Sequence, residues 1–197
     1  MKPIIGYPGG KYKLRHIILK QIPSHKTYLE PFFGGGSIYF AKQPAQVNVI
    51  ADINKQLINF YKQFRDSGCR GMSMCPSTRK VDPGATSRLF QQAKKGKANN
   101  ICSFYTTRYL SVNNNGTSVS PTVLARSRKG IGKVVLKNCK KYEDKLKKTR
   151  ILSDDFRNVV KKYDSKDTFI YLDPPYRGRA NGLYKHENVT PQEVRDG

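Results

Sequence analysis

Hydrophobic positions along this chain alternate between two spacings, and the changes mark helices and strands in turn. Residues 3–7 form a short apolar piece, broken by Pro8-Gly9-Gly10. From Lys11 to Gln21, Leu14, Ile17 and Ile18 recur at helical spacing, Ile22 continues it, and Pro23 closes the segment. "TYLEPFFGGGSIYFAK" predicts a strand over about residues 27–31, a glycine turn, and a helix from near Ser37. "VNVIADIN" predicts a second strand with Asp52 at its C-terminal end, and "KQLINFYKQF" a helix with Leu57, Ile58, Tyr61 and Phe64 on one face. Strand, glycine loop, helix, strand ending in an acid, helix is the opening of a doubly wound α/β sheet.

Around Asp66 the pattern changes. From Ser67 to about Arg150 the chain is rich in Lys, Arg, Ser, Asn and Gly and has few long apolar stretches. Residues 126–150 carry eleven Lys/Arg against two acids, Glu143 and Asp144. "SVNNNGTS" reads as a loop, and "FYTTRYL" interleaves aromatic residues with a basic one. The plain reading is a solvated, loop-rich insertion. The favoured reading is a nucleic-acid-contacting lobe set into the α/β domain. Regular structure then returns: "TRILSDDF" predicts a strand ending in acids, "RNVVKKY" a short helix and "DTFIYLD" a buried strand. A doubly wound sheet of usual size needs more strands after Tyr176, so the expectation is a reduced or incomplete sheet.

Charge adds a partner. Thirty-seven Lys/Arg against fourteen Asp/Glu give a formal +23, the electrostatic footprint of a protein that sits on phosphate backbones. No apolar run approaches the ~18 residues of a membrane span, and Met1-Lys2-Pro3 leads straight into folded-looking sequence rather than a secretory signal. Cys69, Cys75, Cys102 and Cys139 lack Cys-x-x-Cys spacing and the three histidines are scattered. The expectation is therefore no metal site, reduced thiols, and a cytoplasmic, DNA-associated protein.

Three stretches carry candidate chemistry. In "EPFFGGGS", consecutive glycines after a strand permit a tight turn and close approach of backbone to ligand. Asp52 lies sixteen residues past Gly36 at the end of the next strand, where nucleotide sites place an acid for ribose hydroxyls. The Gly-x4-Gly-Lys spacing of a phosphate loop is absent, so the implied ligand is adenosine-like rather than a triphosphate. "GYPGGKYKL" alone reads as an ordinary turn with Lys11 opening a helix. In "FIYLDPPYRG", the prolines fix the backbone at the end of a strand, and the Pro174 carbonyl becomes a pure acceptor beside the Asp173 carboxylate. Two rigid acceptors suit an exocyclic amino group, and Tyr176 two residues on suits stacking on a planar base.

In this order, "YPGGK", "EPFFGGGS", "ADIN" and "YLDPPY" resemble the Dam-like family of adenine-N6 DNA methyltransferases, which use S-adenosylmethionine. The resemblance implies a Rossmann-like sheet with helices on both faces, interrupted by a basic target-recognition insert and lacking its C-terminal strands. Its implied parts are residues 1–66 as the cofactor half, 67–150 as the DNA-binding insert and 151–197 as the half bearing the Asp-Pro-Pro-Tyr motif. Tyr7, Lys11, Glu30, Gly34, Gly36, Asp52, Asp155, Phe156 and Asp173 are implied at the cofactor, and Asp173, Pro174 and Tyr176 at the catalytic motif. "SFYTTRYLSVNNNG" looks like the family's aromatic-Arg-Asn stretch, which directs Arg108, Asn113 and Asn114 to DNA, with Arg126, Arg128 and Lys129 in the basic run beyond.

The implied reaction is methyl transfer to N6 of an adenine flipped out of double-stranded DNA, by a monomer or weak dimer and without a metal. Three alternatives remain open from the residues: the same chemistry on RNA, a truncated non-catalytic DNA-binding remnant, and a protein-glutamine methyltransferase. The last is disfavoured because its motif begins with Asn, not Asp.

Overall fold

The apolar runs that end in acids all become parallel strands. In the computed structural model, which describes residues 1–75, 88, 91, 100–111 and 132–175, four strands are present among the described residues: β1 (Thr27–Glu30), β2 (Val47–Ala51), β3 (Thr149–Leu152) and β4 (Thr168–Ile170). They form one sheet in the order β3-β2-β1-β4, parallel throughout. Thr27 lies opposite Val47 on one side and Thr168 on the other, so β1 is flanked on both edges. This is the doubly wound order, in which chain direction across the sheet reverses between β1 and β4.

Side chains alternate across the central strand. Leu29 joins Val49, Ala51 and Val159 in a buried cluster, against which Leu152, Val160, Tyr163 and Ile170 pack. Val159 comes from the helix Phe156–Tyr163, which covers that face. On the opposite face, the helix Ser37–Ala41 is tied to β3 by a 2.6 Å bond between the Tyr39 and Thr149 hydroxyls, and Tyr28 stacks on Phe169 of β4. Helices thus cover both faces, as the sequence pattern predicts. The first helix is shorter than its spacing suggests, Arg15–Gln21, because Lys11–Leu14 closes instead as a tight turn through a Leu14 N–H to Lys11 carbonyl bond of 3.0 Å.

β4 departs from expectation. All three of its residues are only partly buried, and Leu172 just beyond is 43 % exposed. Among the described residues β4 pairs only with β1 and stands at the edge of the four-stranded sheet, without the two-sided cover that a buried strand has.

The chain divides into two units, one of Met1–Pro3, Gly9–Ile58 and Lys148–Gly197, the other of Ile4–Pro8 and Asn59–Lys147. The second is helical where described. Helix Lys55–Ser73 runs into it and breaks helical geometry at Ser67 (φ −152°, ψ 31°). Helices Ile101–Leu110, Lys133–Lys137 and Cys139–Lys147 follow. Numbered along the chain, the helices among the described residues are α1 (Arg15–Gln21), α2 (Ser37–Ala41), α3 (Lys55–Ser73), α4 (Ile101–Leu110), α5 (Lys133–Lys137), α6 (Cys139–Lys147) and α7 (Phe156–Tyr163). The second unit has its own aromatic core: Phe60 stacks on Phe104 with centroids 5.1 Å apart, and Phe64 meets Tyr142 edge-on at 6.2 Å.

The cysteines correct the sequence reading. All four are paired, Cys69 with Cys139 and Cys75 with Cys102, each pair with 5.1 Å between Cα atoms. The partners are 70 and 27 residues apart and meet because α4 and α6 both pack against α3, through Phe104 on Phe60 and Tyr142 on Phe64. Local spacing carries no trace of that. Reduced thiols are one support for a cytosolic protein, and the bridges remove it.

Candidate functional site at the carboxyl ends of the strands

In open α/β sheets ligands bind outside the carboxyl ends of the strands, where strand order reverses. Here that place lies between β1 and β4, and two of the three motifs end on it. The Tyr171 N–H donates to the Leu29 carbonyl at 2.8 Å, carrying the β1–β4 ladder to within two residues of Asp173.

After β1 the chain turns through Phe32-Phe33-Gly34-Gly35-Gly36. Gly34 and Gly36 take left-handed angles (φ 47° and 65°), a conformation that costs a residue with a Cβ roughly 1–2 kcal/mol. At Gly36 space is closed as well: a Cβ there falls 2.4 Å from the buried Phe33 ring. Gly36→Ala is therefore expected to lower the unfolding free energy by about 3 kcal/mol, the sum of backbone strain and overpacking. Urea denaturation checks it; a loss under about 0.5 kcal/mol contradicts the geometry.

Asp52 sits one residue past β2 and is 5 % exposed. Its carboxylate accepts the Gly34 N–H at 2.9 Å and the Asn54 N–H at 2.9 Å, so it clamps the glycine loop to the end of the neighbouring strand. A carboxylate has about four acceptor positions and can both brace a loop and receive hydroxyl donors.

Glu30, the last residue of β1, is 3 % exposed. It accepts the Tyr28 hydroxyl at 2.7 Å and the Tyr39 backbone N–H. Burial pushes its carboxyl up to about 8, with the nearby Asp173 charge adding to the effect and the Tyr28 bond opposing it. Lys42 lies with its ammonium 4.4 Å from the centre of the Tyr28 ring, and burial pulls it down to about 8. Tyr28 and Lys42 complete a buried polar group that motif reading missed. The signal was present in "YLE", where period-two alternation puts Tyr28 and Glu30 on one face.

The raised Glu30 carboxyl has a thermodynamic consequence. The folded state holds this proton up to about pH 8, whereas an unfolded chain releases it near the ordinary value of 4.5. Stability from this group is complete below the unfolded value and falls as pH rises toward 8. Glu30→Gln keeps an oxygen acceptor for Tyr28 and removes the titration. Its stability curve between pH 5 and 8 is expected to be flatter than that of the parent; parallel curves contradict the assignment.

Asp173, three residues past β4, forms a 2.6 Å ion pair with Lys11, whose ammonium also donates to the Gly9 carbonyl at 2.9 Å. Both side chains are under one-fifth exposed. The "YPGGK" turn therefore reaches the Asp-Pro-Pro-Tyr motif, 162 residues away. Sequence reasoning directs Lys11 to the cofactor alone. Pro174 and Pro175 are half-buried. Tyr176, Asn113, Asn114, Arg126, Arg128 and Lys129 lie outside the described residues.

Asp155 caps α7, accepting the Arg157 N–H at 2.9 Å and the guanidinium at 2.8 and 2.9 Å, and this partner holds its carboxyl below the usual range. Phe156 is buried and lies 5.0 Å from the Phe32 ring of the glycine loop. Tyr7 and Arg108 belong to the second unit, where the Arg108 guanidinium is 5.3 Å from the Tyr7 ring and 5.3 Å from that of Phe104. Among the described residues no group of three or more His, Cys, Asp or Glu could hold a metal ion, and no helix is long and apolar enough to cross a membrane.

Comparison with known proteins converges on one class. The profile of the family described as D12 class N6 adenine-specific DNA methyltransferase matches residues 7–195. The chain is 25 % identical over 211 residues to the type II methyltransferase M1.LlaDCHI of Lactococcus lactis subsp. cremoris, covering 98 % of this chain and 73 % of the relative. It is 27 % identical over 206 residues to the type II methyltransferase M.MjaIII of Methanocaldococcus jannaschii, with coverages of 90 % and 70 %. A DNA adenine methylase of Vibrio cholerae is 36 % identical over 64 residues, 32 % of this chain and 23 % of that one.

Proposed function

Because the chain belongs to the D12 class N6 adenine-specific DNA methyltransferase family, we propose that it transfers a methyl group from S-adenosylmethionine to N6 of a flipped adenine in double-stranded DNA. The observation that carries this reading is Asp173. It stands just beyond β4, beside the glycine-loop strand, with its carboxylate held by Lys11 at 2.6 Å.

The residues fit the cofactor on chemical grounds. Asp52 is a buried acid suited to ribose hydroxyls, Phe32 and Phe156 offer aromatic surface to a planar base, and Gly34 and Gly36 let backbone approach closely. S-adenosylmethionine, when bound, supplies an electrophilic methyl group on a sulfonium. The chain's part is acceptance and orientation. Asp173 and the Pro174 carbonyl accept hydrogen bonds from the adenine amino group and Tyr176 stacks on the ring. Those bonds draw the nitrogen lone pair out of ring conjugation and aim it. Lys11 fixes the orientation of the Asp173 carboxylate, and Glu30, Tyr28 and Lys42 brace the strand behind it. In the same reading residues 67–150 recognise the DNA target, Arg108, Asn113, Asn114, Arg126, Arg128 and Lys129 contact DNA, and the protein acts as a monomer or weak dimer in the cytoplasm.

Methyl incorporation from labelled S-adenosylmethionine tests the reading. Label is expected in adenine-containing duplex DNA and not in structured RNA of matched length. Label in RNA alone overturns the substrate assignment, and label in neither, with no calorimetric binding of the cofactor, overturns the activity.

A further inference from the structure

The charge of α6 is sorted by face. Cys139, Tyr142, Glu143 and Leu146 turn toward the second unit's interior, while Lys140, Lys141, Asp144 and Lys147 recur at helical spacing on the exposed side. Solvated helix faces commonly interleave acids with bases. Here both acids are engaged. Glu143 is 7 % exposed and accepts the Cys69 N–H at 2.7 Å. That N–H lies two residues past the break at Ser67, where α3 restarts and its first donors need an outside partner. Asp144 is held by Lys140 at 3.1 Å. Lys133 and Lys137 on α5 are exposed as well, and on α6 three exposed lysines stand against one paired acid. The Cys69–Cys139 bridge and the Glu143 bond fasten the helix to α3, so its outward face is presented on a fixed support.

We propose that this lysine face of α6 is a docking surface for the phosphate backbone of duplex DNA, with the exposed lysines of α5 adding to the local positive charge. The inference rests on the DNA reading above and deepens it by placing sequence-independent contacts on a helix that no motif singled out. Lysine suits the role, as a compact, strongly hydrated point charge that binds phosphate without reading bases.

The test uses the full chain and a fluorescein-labelled duplex of arbitrary sequence, with anisotropy followed between about 50 and 200 mM salt. Replacing Lys141→Gln and Lys147→Gln together is expected to make the slope of log K against log salt shallower by about 1.8, near 0.9 for each phosphate left without its lysine. Lys141→Arg with Lys147→Arg is expected to keep the parent slope. The proposal is overturned if the folded glutamine variant keeps the parent slope, if the arginine variant also becomes shallower, or if the change appears only on duplex RNA. The readout needs neither cofactor nor methyl transfer. A chain that fails to methylate yet shows the shallower slope keeps the surface and sinks the catalytic reading.

Discussion

Asp173→Ala is expected to reduce kcat for methyl transfer by about a thousandfold while changing the Kd for duplex DNA less than about threefold. Removing one preorganised hydrogen-bonding group from a reacting centre commonly costs about two to three orders of magnitude. In the proposed function the group removed is an acceptor for the adenine amino group. DNA affinity should survive because most protein–DNA hydrogen bonds go to phosphate and sugar rather than to the reacting base. Single-turnover incorporation at saturating DNA, with anisotropy for binding, separates the two effects. Transfer within about tenfold of the parent rate removes Asp173 from the mechanism. A parallel collapse of DNA affinity instead makes Asp173 a structural residue that holds the "YPGGK" turn through Lys11.

The second large effect concerns the cystines. Cys69 and Cys139 enclose 70 residues, within which Cys75 and Cys102 enclose 27. Loop-closure entropy assigns each bridge about 3–4 kcal/mol of stability relative to the open chain. Cys69→Ala with Cys139→Ala should destabilise by about 4 kcal/mol, and reduction of the parent protein, which opens both bridges, should destabilise it further. Guanidinium unfolding with and without reductant measures the difference, and thiol titration of the unfolded, unreduced chain counts free cysteines, with none expected. Four reactive thiols and reductant-independent stability would remove the bridges from the description. The Glu143 to Cys69 bond runs to a backbone N–H and persists in the alanine variant, so the drop in stability reports the covalent link.

What could be read beforehand follows from range. The strands and their closing residues were legible because a parallel strand is an apolar run with a local stop signal, as in "VNVIAD" and "TYLEP". Gly36 was legible because a glycine run between strand and helix has few uses. α6 was hidden, although Tyr142 and Leu146 stand at helical spacing, because its lysine density resembles a solvated loop. The cystines and the Lys11–Asp173 pair join residues 27 to 162 positions apart and exist only after folding. Glu30 could be seen as an acid at a strand end. Its raised carboxyl could not, since that depends on burial in the folded chain and on the approach of Asp173, with the Tyr28 and Tyr39 bonds opposing the shift.

The strand order also sets a timetable for synthesis. β2 begins seventeen residues after β1 ends, so one edge of β1 finds its partner almost as soon as it emerges from the ribosome. The other edge pairs with β4, which starts 138 residues after β1 ends. At roughly 5–20 residues per second that edge stands open for about 7–28 seconds, with Leu29 and its neighbours exposed to any passing strand. The sheet is thus completed late, when β3 adds to β2 and β4 zips onto β1 and brings Asp173 to a lysine translated long before. A chaperone bound before β4 emerges protects the open edge, whereas a pause in that interval lengthens its exposure.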